Sequence, residues 1–178
     1  MRLFAAIRPP QPVADHLSVA LASALTPSTD RSSPLIPRAN WHITLAFYGE
    51  VPTGGLDSLS GALAAELIQM APFELELRGA GCTRGRVGWV GVGGDLAAFR
   101  RLAATARAAW PGTAGEQRPH LTITRRADRT PTSDALRALS VYVGPSWPVH
   151  QVELIRSDLG QGPARHPLYT TLATLALA

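Results

Sequence analysis

Two short segments of the chain, His42-Ile43-Thr44-Leu45 and His120-Leu121-Thr122-Ile123, repeat one pattern of histidine, apolar residue, threonine, apolar residue. A period of two is that of a β-strand, whose neighbouring side chains point to opposite faces. Each segment can bury Ile43 and Leu45, or Leu121 and Ile123, while an imidazole and a hydroxyl share the accessible face. Two such strands along one cleft would present two imidazoles and two hydroxyls. Histidine titrates close to working pH, so one neutral ring can take a proton and one charged ring can give one. Threonine hydroxyls can donate hydrogen bonds to anionic oxygens. The set suits acid–base chemistry at a phosphate.

A metal-dependent phosphodiesterase would need carboxylates beside these histidines. Neither tetrapeptide holds one, and no His-Glu-x-x-His or His-x-His spacing occurs. No metal and no cofactor are therefore expected. The other histidines read as ordinary: His16 solvated on a helix, His150 on the surface, His166 in a loop that could border substrate. Trp41 and Tyr48 flank the first segment as packing residues, with base stacking as the alternative. Cys82 is the single cysteine, which rules out an internal disulfide; it is expected in a turn as an incidental thiol rather than a nucleophile.

All 17 basic residues are arginine and the net charge is +4. Without lysine the chain cannot form a lysyl-nucleotide intermediate or a Walker-type phosphate loop, so neither kind of energy-coupled nucleotide chemistry is open to it. Arg8, Arg38, Arg118, Arg125, Arg126, Arg129 and Arg156 fall near expected strand ends, where some could form a basic rim for a polyanion. Charged residues make up 17% and apolar residues 46%, the balance of a soluble globular protein. No apolar run is long enough to cross a bilayer, and the opening segment is too short in its apolar part for a signal peptide. No membrane partner and a cytoplasmic location are expected.

The positioning elements follow from periodicity. Strands are expected at residues 2–7, 41–48, 73–77, 87–92, 118–124, 149–157 and 169–177, the last with helix as an alternative. Apolar residues at four-residue spacing, Val13, Leu17, Leu21 and Leu25, mark a helix from about Pro12. Leu56, Leu59, Leu63, Leu67 and Met70 mark a second, stopped by Pro72. Asp95 can cap a third, and residues 132–139 form a short fourth. Residues 26–37 read as a loop. The expected class is α+β, with antiparallel sheets and flanking helices in two lobes of approximate two-fold pseudo-symmetry. The active-site cleft lies between the lobes. Nothing in the composition marks a boundary, so residues 1–178 are expected to form a single bilobal domain.

With these segments in view, the chain resembles the 2H phosphoesterases, in particular the RNA 2′,3′-cyclic phosphodiesterase or 2′-5′ RNA ligase-like branch. The resemblance runs through Arg2-Leu3-Phe4-Ala5-Ala6-Ile7, both His-x-Thr segments, Gly49-Glu50-Val51, and Val87-Gly88-Trp89-Val90-Gly91-Val92. It continues through Pro119, Arg125 and Ile155-Arg156-Ser157-Asp158-Leu159-Gly160. Ile123 stands where leucine is usual, and His166-Pro167 occupies the closing loop where an aromatic or other residue is expected. The resemblance implies metal-independent hydrolysis of RNA 2′,3′-cyclic phosphate ends to 2′-phosphate ends, with reverse 2′-5′ ligation possible in principle. It makes His42 the proton donor and His120 the proton acceptor, with Thr44, Thr122 and Arg125 binding the phosphate. Strict alternation puts Arg125 on the face opposite His120, so a twist or bulge at the strand end must turn it inward. RNA ends or small cyclic nucleotides are the implied substrates of a monomer. The alternatives are ADP-ribose cyclic phosphate or 2′-5′ oligonucleotide phosphodiesterase activity, or a non-catalytic RNA-end-binding module.

Overall fold

Strand β1 (Arg2–Ile7) is buried from Leu3 onward, as its unbroken apolar run requires of a strand covered on both faces. Leu3, Ala5 and Ile7 point into the main core, whereas Phe4 and Ala6 join a second, smaller cluster with Ile155 and Tyr169. The two faces of one strand thus mark the two sides of the sheet. The computed structural model describes residues 1–25, 35–113, 115, 118–127 and 130–178, with the backbone alone for 130 and 131. Most of the expected loop at 26–37, and Arg129, lie outside the described residues.

The remaining strands are β2 (Ile43–Glu50), β3 (Phe73–Thr83), β4 (Val87–Gly94), β5 (His120–Thr124), β6 (Val143–Val149), β7 (Gln151–Asp158) and β8 (Leu168–Ala176). Their order in the sheet is β6-β3-β4-β5-β2-β1-β7-β8, with every neighbouring pair antiparallel. The class is α+β, as expected. The two anticipated sets of strands are the two halves of one ladder, and the two His-x-Thr strands meet at its centre. There β2 and β5 pair at a single register position, Ile43 opposite Leu121, while the other neighbours run together over longer stretches.

Helices α1 (Gln11–Ala24), α2 (Leu56–Leu67), α3 (Leu96–Ala108) and α4 (Thr130–Ala138) flank the sheet. Their buried stripes, among them Leu17 and Leu21, Leu59 and Leu63, Phe99 and Leu102, and Leu136, enter the main core with Ile43, Leu45, Leu121 and Ile123. The Asp95 carboxylate caps α3 by accepting from the Ala98 N–H at 2.8 Å. With the helices on the Ile43/Leu121 side, the imidazoles and hydroxyls are left on the other.

The structure departs from expectation at several points. Strand β6 was hidden by Pro145 and Pro148, which remove ladder donors; it lies on the sheet edge, where proline is tolerated. Cys82 is not in a turn but near the end of β3, exposed. The turn comes after it, where Arg84 (φ 52) and Gly85 (φ 66) take up left-handed conformations. His16 is exposed as expected, but its Nδ1 lies 2.9 Å from the Tyr142 hydroxyl. The C-terminal segment is the expected strand, and β2 begins at Ile43 rather than residue 41, following a 3₁₀ turn over residues 38–40.

Candidate active site

The turn Arg38–Asn40 delivers the first histidine. The His42 Nδ1–H donates to the Asn40 carbonyl at 2.7 Å, and the His120 Nδ1–H donates to the Arg118 carbonyl at the same distance. A carbonyl can only accept, so Nδ1 carries the proton in both rings. Each neutral ring therefore leaves Nε2 with a free lone pair, and each charged ring offers an Nε2–H. The identical bond to the carbonyl two residues earlier extends the duplicated pattern from side chains to backbone. Antiparallel register about Ile43 and Leu121 sets His42 towards Thr122 and Thr44 towards His120.

One cavity of about 400 Å³ takes in His42, Thr44, His120, Thr122 and Arg125. All five anticipated site residues are thus gathered in one place. The lining also includes Arg2, Phe4, Asn40, Phe47, Ser157, His166 and Tyr169. Among the described lining residues there are two arginines and three histidines but no carboxylate, so the cavity favours an anion. Among the described residues, no group of three His, Cys, Asp or Glu side chains comes close enough to hold a metal ion.

Arg125 reaches the cavity through a break in the strand's alternation. Trp89 pairs with Thr122 but Gly88 pairs with Thr124, so Ile123 is an extra residue on β5. Ile123 and Thr124 are both buried, and Arg125 emerges on the same side as Thr122. Register shifts on β2 act likewise: Phe4 pairs with Phe47 and Ala6 with Thr44, bringing Phe47 to the cavity.

His42 is the more enclosed histidine. Its ring centroid lies 4.8 Å from that of Phe4 and 5.3 Å from that of Tyr169, the latter edge-on. Burial pulls its pKa from 6.5 down to about 4, with Arg8, Arg125 and His120 pushing the same way and the Asn40 carbonyl opposing them. Tyr169 has its hydroxyl pKa raised by burial, against the pull of Arg125, Arg2 and Arg8.

The remaining sequence-identified residues divide cleanly. Trp41 and Tyr48 are buried packing residues: the Trp41 Nε1–H donates to the Ile36 carbonyl at 3.2 Å and the Tyr48 hydroxyl to the Ala106 carbonyl at 3.0 Å. Arg8 pairs with Glu153, Arg38 with Asp15 and Arg156 with Asp158. Arg118 and Arg126 are exposed and lie outside the cavity lining. Sequence reasoning missed Arg2, Asn40, Phe4, Ser157 and Tyr169. Alternation could have found Arg2 and Phe4 on one face of β1, but the approach of β8 and the closing turn leaves no local signal.

Comparison with known proteins places this geometry. Residues 9–161 match the family model of the 2′-5′ RNA ligase superfamily. An RNA 2′,3′-cyclic phosphodiesterase of Thermus thermophilus is 32% identical, over 99% of this chain and 90% of that protein. A Geobacillus stearothermophilus protein of the same name is also 32% identical, over 84% of this chain. The matched region spans only 51% of that relative's length. The crystal structure of E. coli LigT complexed with phosphate superposes with a TM-score of 0.77 at 26% identity, covering 99% of this chain and 97% of that one. A family match over most of its length, together with the shared fold, shows that this chain belongs to the 2′-5′ RNA ligase superfamily, in agreement with its 2H phosphoesterase motifs.

Proposed function

We propose that the protein hydrolyses the 2′,3′-cyclic phosphate at an RNA or nucleotide end to a 2′-phosphate, using two histidines and no metal or cofactor. The observation that carries this reading is the pair of Nδ1-anchored imidazoles in one cavity whose described lining holds no carboxylate. The RNA 2′,3′-cyclic phosphodiesterase relatives and the phosphate-bound LigT neighbour support the substrate class. The reading takes residues 1–178 as one bilobal unit with the cleft between its halves, acting as a cytoplasmic monomer. Among the described residues no helix is long and apolar enough to cross a membrane.

In this mechanism His120 Nε2 takes a proton from water as the water oxygen bonds to phosphorus. The P–O3′ bond breaks, and O3′ receives the proton of charged His42 Nε2. Thr44, Thr122 and Arg125 donate hydrogen bonds to the non-bridging oxygens as charge gathers there. With an RNA 5′-hydroxyl in place of water, the same groups in the same roles form a 2′-5′ phosphodiester: His120 takes the hydroxyl proton, the P–O3′ bond breaks and His42 protonates O3′. Burial alone favours neutral His42, the wrong form for a donor. A bound phosphate anion is the opposite charge that restores the charged form, so substrate binding arms the acid.

The low pKa of His42 also favours a second reading, with the two roles exchanged. A substrate that needs no protonated leaving group separates them. With a 3′-deoxynucleoside 2′-(4-nitrophenyl phosphate), loss of the acid is largely spared and loss of the base is not. His42→Ala should be the spared variant; sparing of His120→Ala instead would exchange the assignments.

The test of function is incubation with an oligonucleotide ending in a 2′,3′-cyclic phosphate, asking which hydroxyl keeps the phosphate. A 2′-phosphate is expected, formed at an undiminished rate in the presence of a chelator. His42→Ala and His120→Ala should each slow turnover by about 10²- to 10⁴-fold, the usual worth of a positioned acid or base. Near-normal turnover in either variant would overturn the mechanism.

A further inference from the structure

His42 and His120 hang from backbone carbonyls in the same way, but among the described residues the support of His42 alone shows a brace from elsewhere in the chain. Asn40, whose carbonyl accepts the His42 Nδ1–H, also donates through its side-chain amide to the Pro167 carbonyl at 2.9 Å. Its neighbour Ala39 accepts at its carbonyl from the Arg8 guanidinium, which pairs with Glu153 at 2.8 Å. The corresponding residue on the other side, Arg118, is exposed.

The segment that Asn40 holds is strained. In the turn Pro163–Arg165, two consecutive non-glycine residues, Ala164 (φ 50) and Arg165 (φ 60), occupy the left-handed region. Such a conformation is unfavourable for a residue with a Cβ and persists only where surroundings impose it. The turn closes on itself through Gly162 N–H to the His166 carbonyl (2.8 Å) and His166 N–H to the Pro163 carbonyl (3.0 Å). It is then tied to the rest of the protein by the Asn40 amide, and it contributes His166 and Pro167 to the cavity wall.

We infer that Asn40 is a positioning residue that couples this closing turn to the tautomer and orientation of His42. One residue faces both ways: its amide fixes the turn, and its carbonyl fixes which imidazole nitrogen carries the proton. Displacing the turn pulls on the amide, moves the carbonyl and frees His42 to protonate at Nε2 when neutral. A turn shifted by substrate is thereby felt at the reacting nitrogen. The kinetic part of this inference rests on the phosphodiesterase reading; the tautomer part does not.

The test is ¹⁵N NMR of the imidazoles at about pH 8.5, where a histidine ring is neutral. Wild-type His42 should be the pure Nδ1–H tautomer. Asn40→Ala keeps the backbone carbonyl and removes the amide; it should give a tautomer mixture at His42 with His120 unchanged. It should also lower kcat by about 10- to 100-fold, the scale of a misplaced reacting group. Gly162→Ala reaches the same link from the other end, because its Cβ would lie 2.8 Å from the His166 carbonyl oxygen and 3.0 Å from that of Pro167. It should mix the His42 tautomers in the same way, and the double variant should be no worse than Asn40→Ala alone. A pure Nδ1–H tautomer in either variant, equal disturbance of His120, or additive losses in the double variant would overturn the inference. Absence of turnover in a wild-type protein with the expected tautomers would instead remove the phosphodiesterase reading and leave the coupling standing.

Discussion

Enclosure by Phe4 and Tyr169 ties the charge of His42 to the stability of the fold. Its folded-state pKa of about 4 lies below the unfolded value of 6.5. Between those two values the unfolded chain binds more protons than the folded one, so this residue's contribution is complete above pH 6.5 and is lost as pH falls towards 4. At about 1.4 kcal/mol per unit the full loss is as much as roughly 3 kcal/mol. Replacing His42 with Asn should remove that part of the acid destabilisation, seen as a smaller fall in urea-unfolding free energy from pH 7 to pH 4 than in wild type. An anion in the cavity should have the reverse effect on the ring. Sulfate, which stays doubly charged across this range, should raise the His42 pKa followed by NMR, and by reciprocity bind more tightly at pH 5 than at pH 7. A His42 titration unchanged by saturating sulfate would separate this residue from the anion site. The identities of His42, Thr44, His120 and Thr122 were legible because chemistry and strand period coincide in four residues. The depressed pKa was not, because its cause is Phe4 and Tyr169, far apart in sequence from His42 and from each other.

At the level of strands and helices, sequence is most readable where one periodicity holds throughout. The stripes of α1 and α2 and the buried run of β1 are of that kind. It fails where one residue interrupts the period, and those interruptions help build the site. The extra residue at Ile123 carries Arg125 to the side of Thr122, a bulge that alternation could require but not locate. Gly88 sits against this bulge: a Cβ there would meet Thr124 Cγ2 at 2.6 Å and Leu136 Cδ1 at 2.8 Å. Gly88→Ala should therefore cost about 1–3 kcal/mol through overpacking. It should also displace Arg125, raising KM for a cyclic nucleotide more than it lowers kcat. Chemical denaturation and steady-state kinetics check the two parts, and an unchanged KM would mean that Arg125 keeps its place without the bulge. Strand β6 failed to show itself for a different reason, since proline reads as a breaker unless the strand is already known to lie on an edge.

Across the whole molecule the antiparallel α+β architecture was accessible from the alternation of strand and helix patterns, while the meeting of two distant tetrapeptides at one register position was not. Pairing is a property of the assembled sheet, and no local pattern states which strands are neighbours. The assembled molecule combines a net charge of +4 with a cavity that includes Arg2 and Arg125. Salt should therefore weaken substrate capture. If two phosphates of an oligonucleotide are neutralised, kcat/KM should fall roughly sevenfold between 50 and 200 mM salt, following a slope of about −0.7 per phosphate. A mononucleoside cyclic phosphate should lose about half as much on the logarithmic scale. Equal salt slopes for the two substrates would mean that only the reacting phosphate meets the basic groups.

Shielding His42 behind two aromatic rings has a kinetic cost of its own. Each hydrolysis leaves the enzyme as a protonation isomer of its starting form, with the proton on the wrong half of the sheet. The ring lines the substrate cavity and takes up its charge when an anion binds there, so its proton must come through that cavity from water or a buffer acid. At saturating substrate, the size and concentration of the buffer acid then become a governor of turnover, apart from the pH at which it is set.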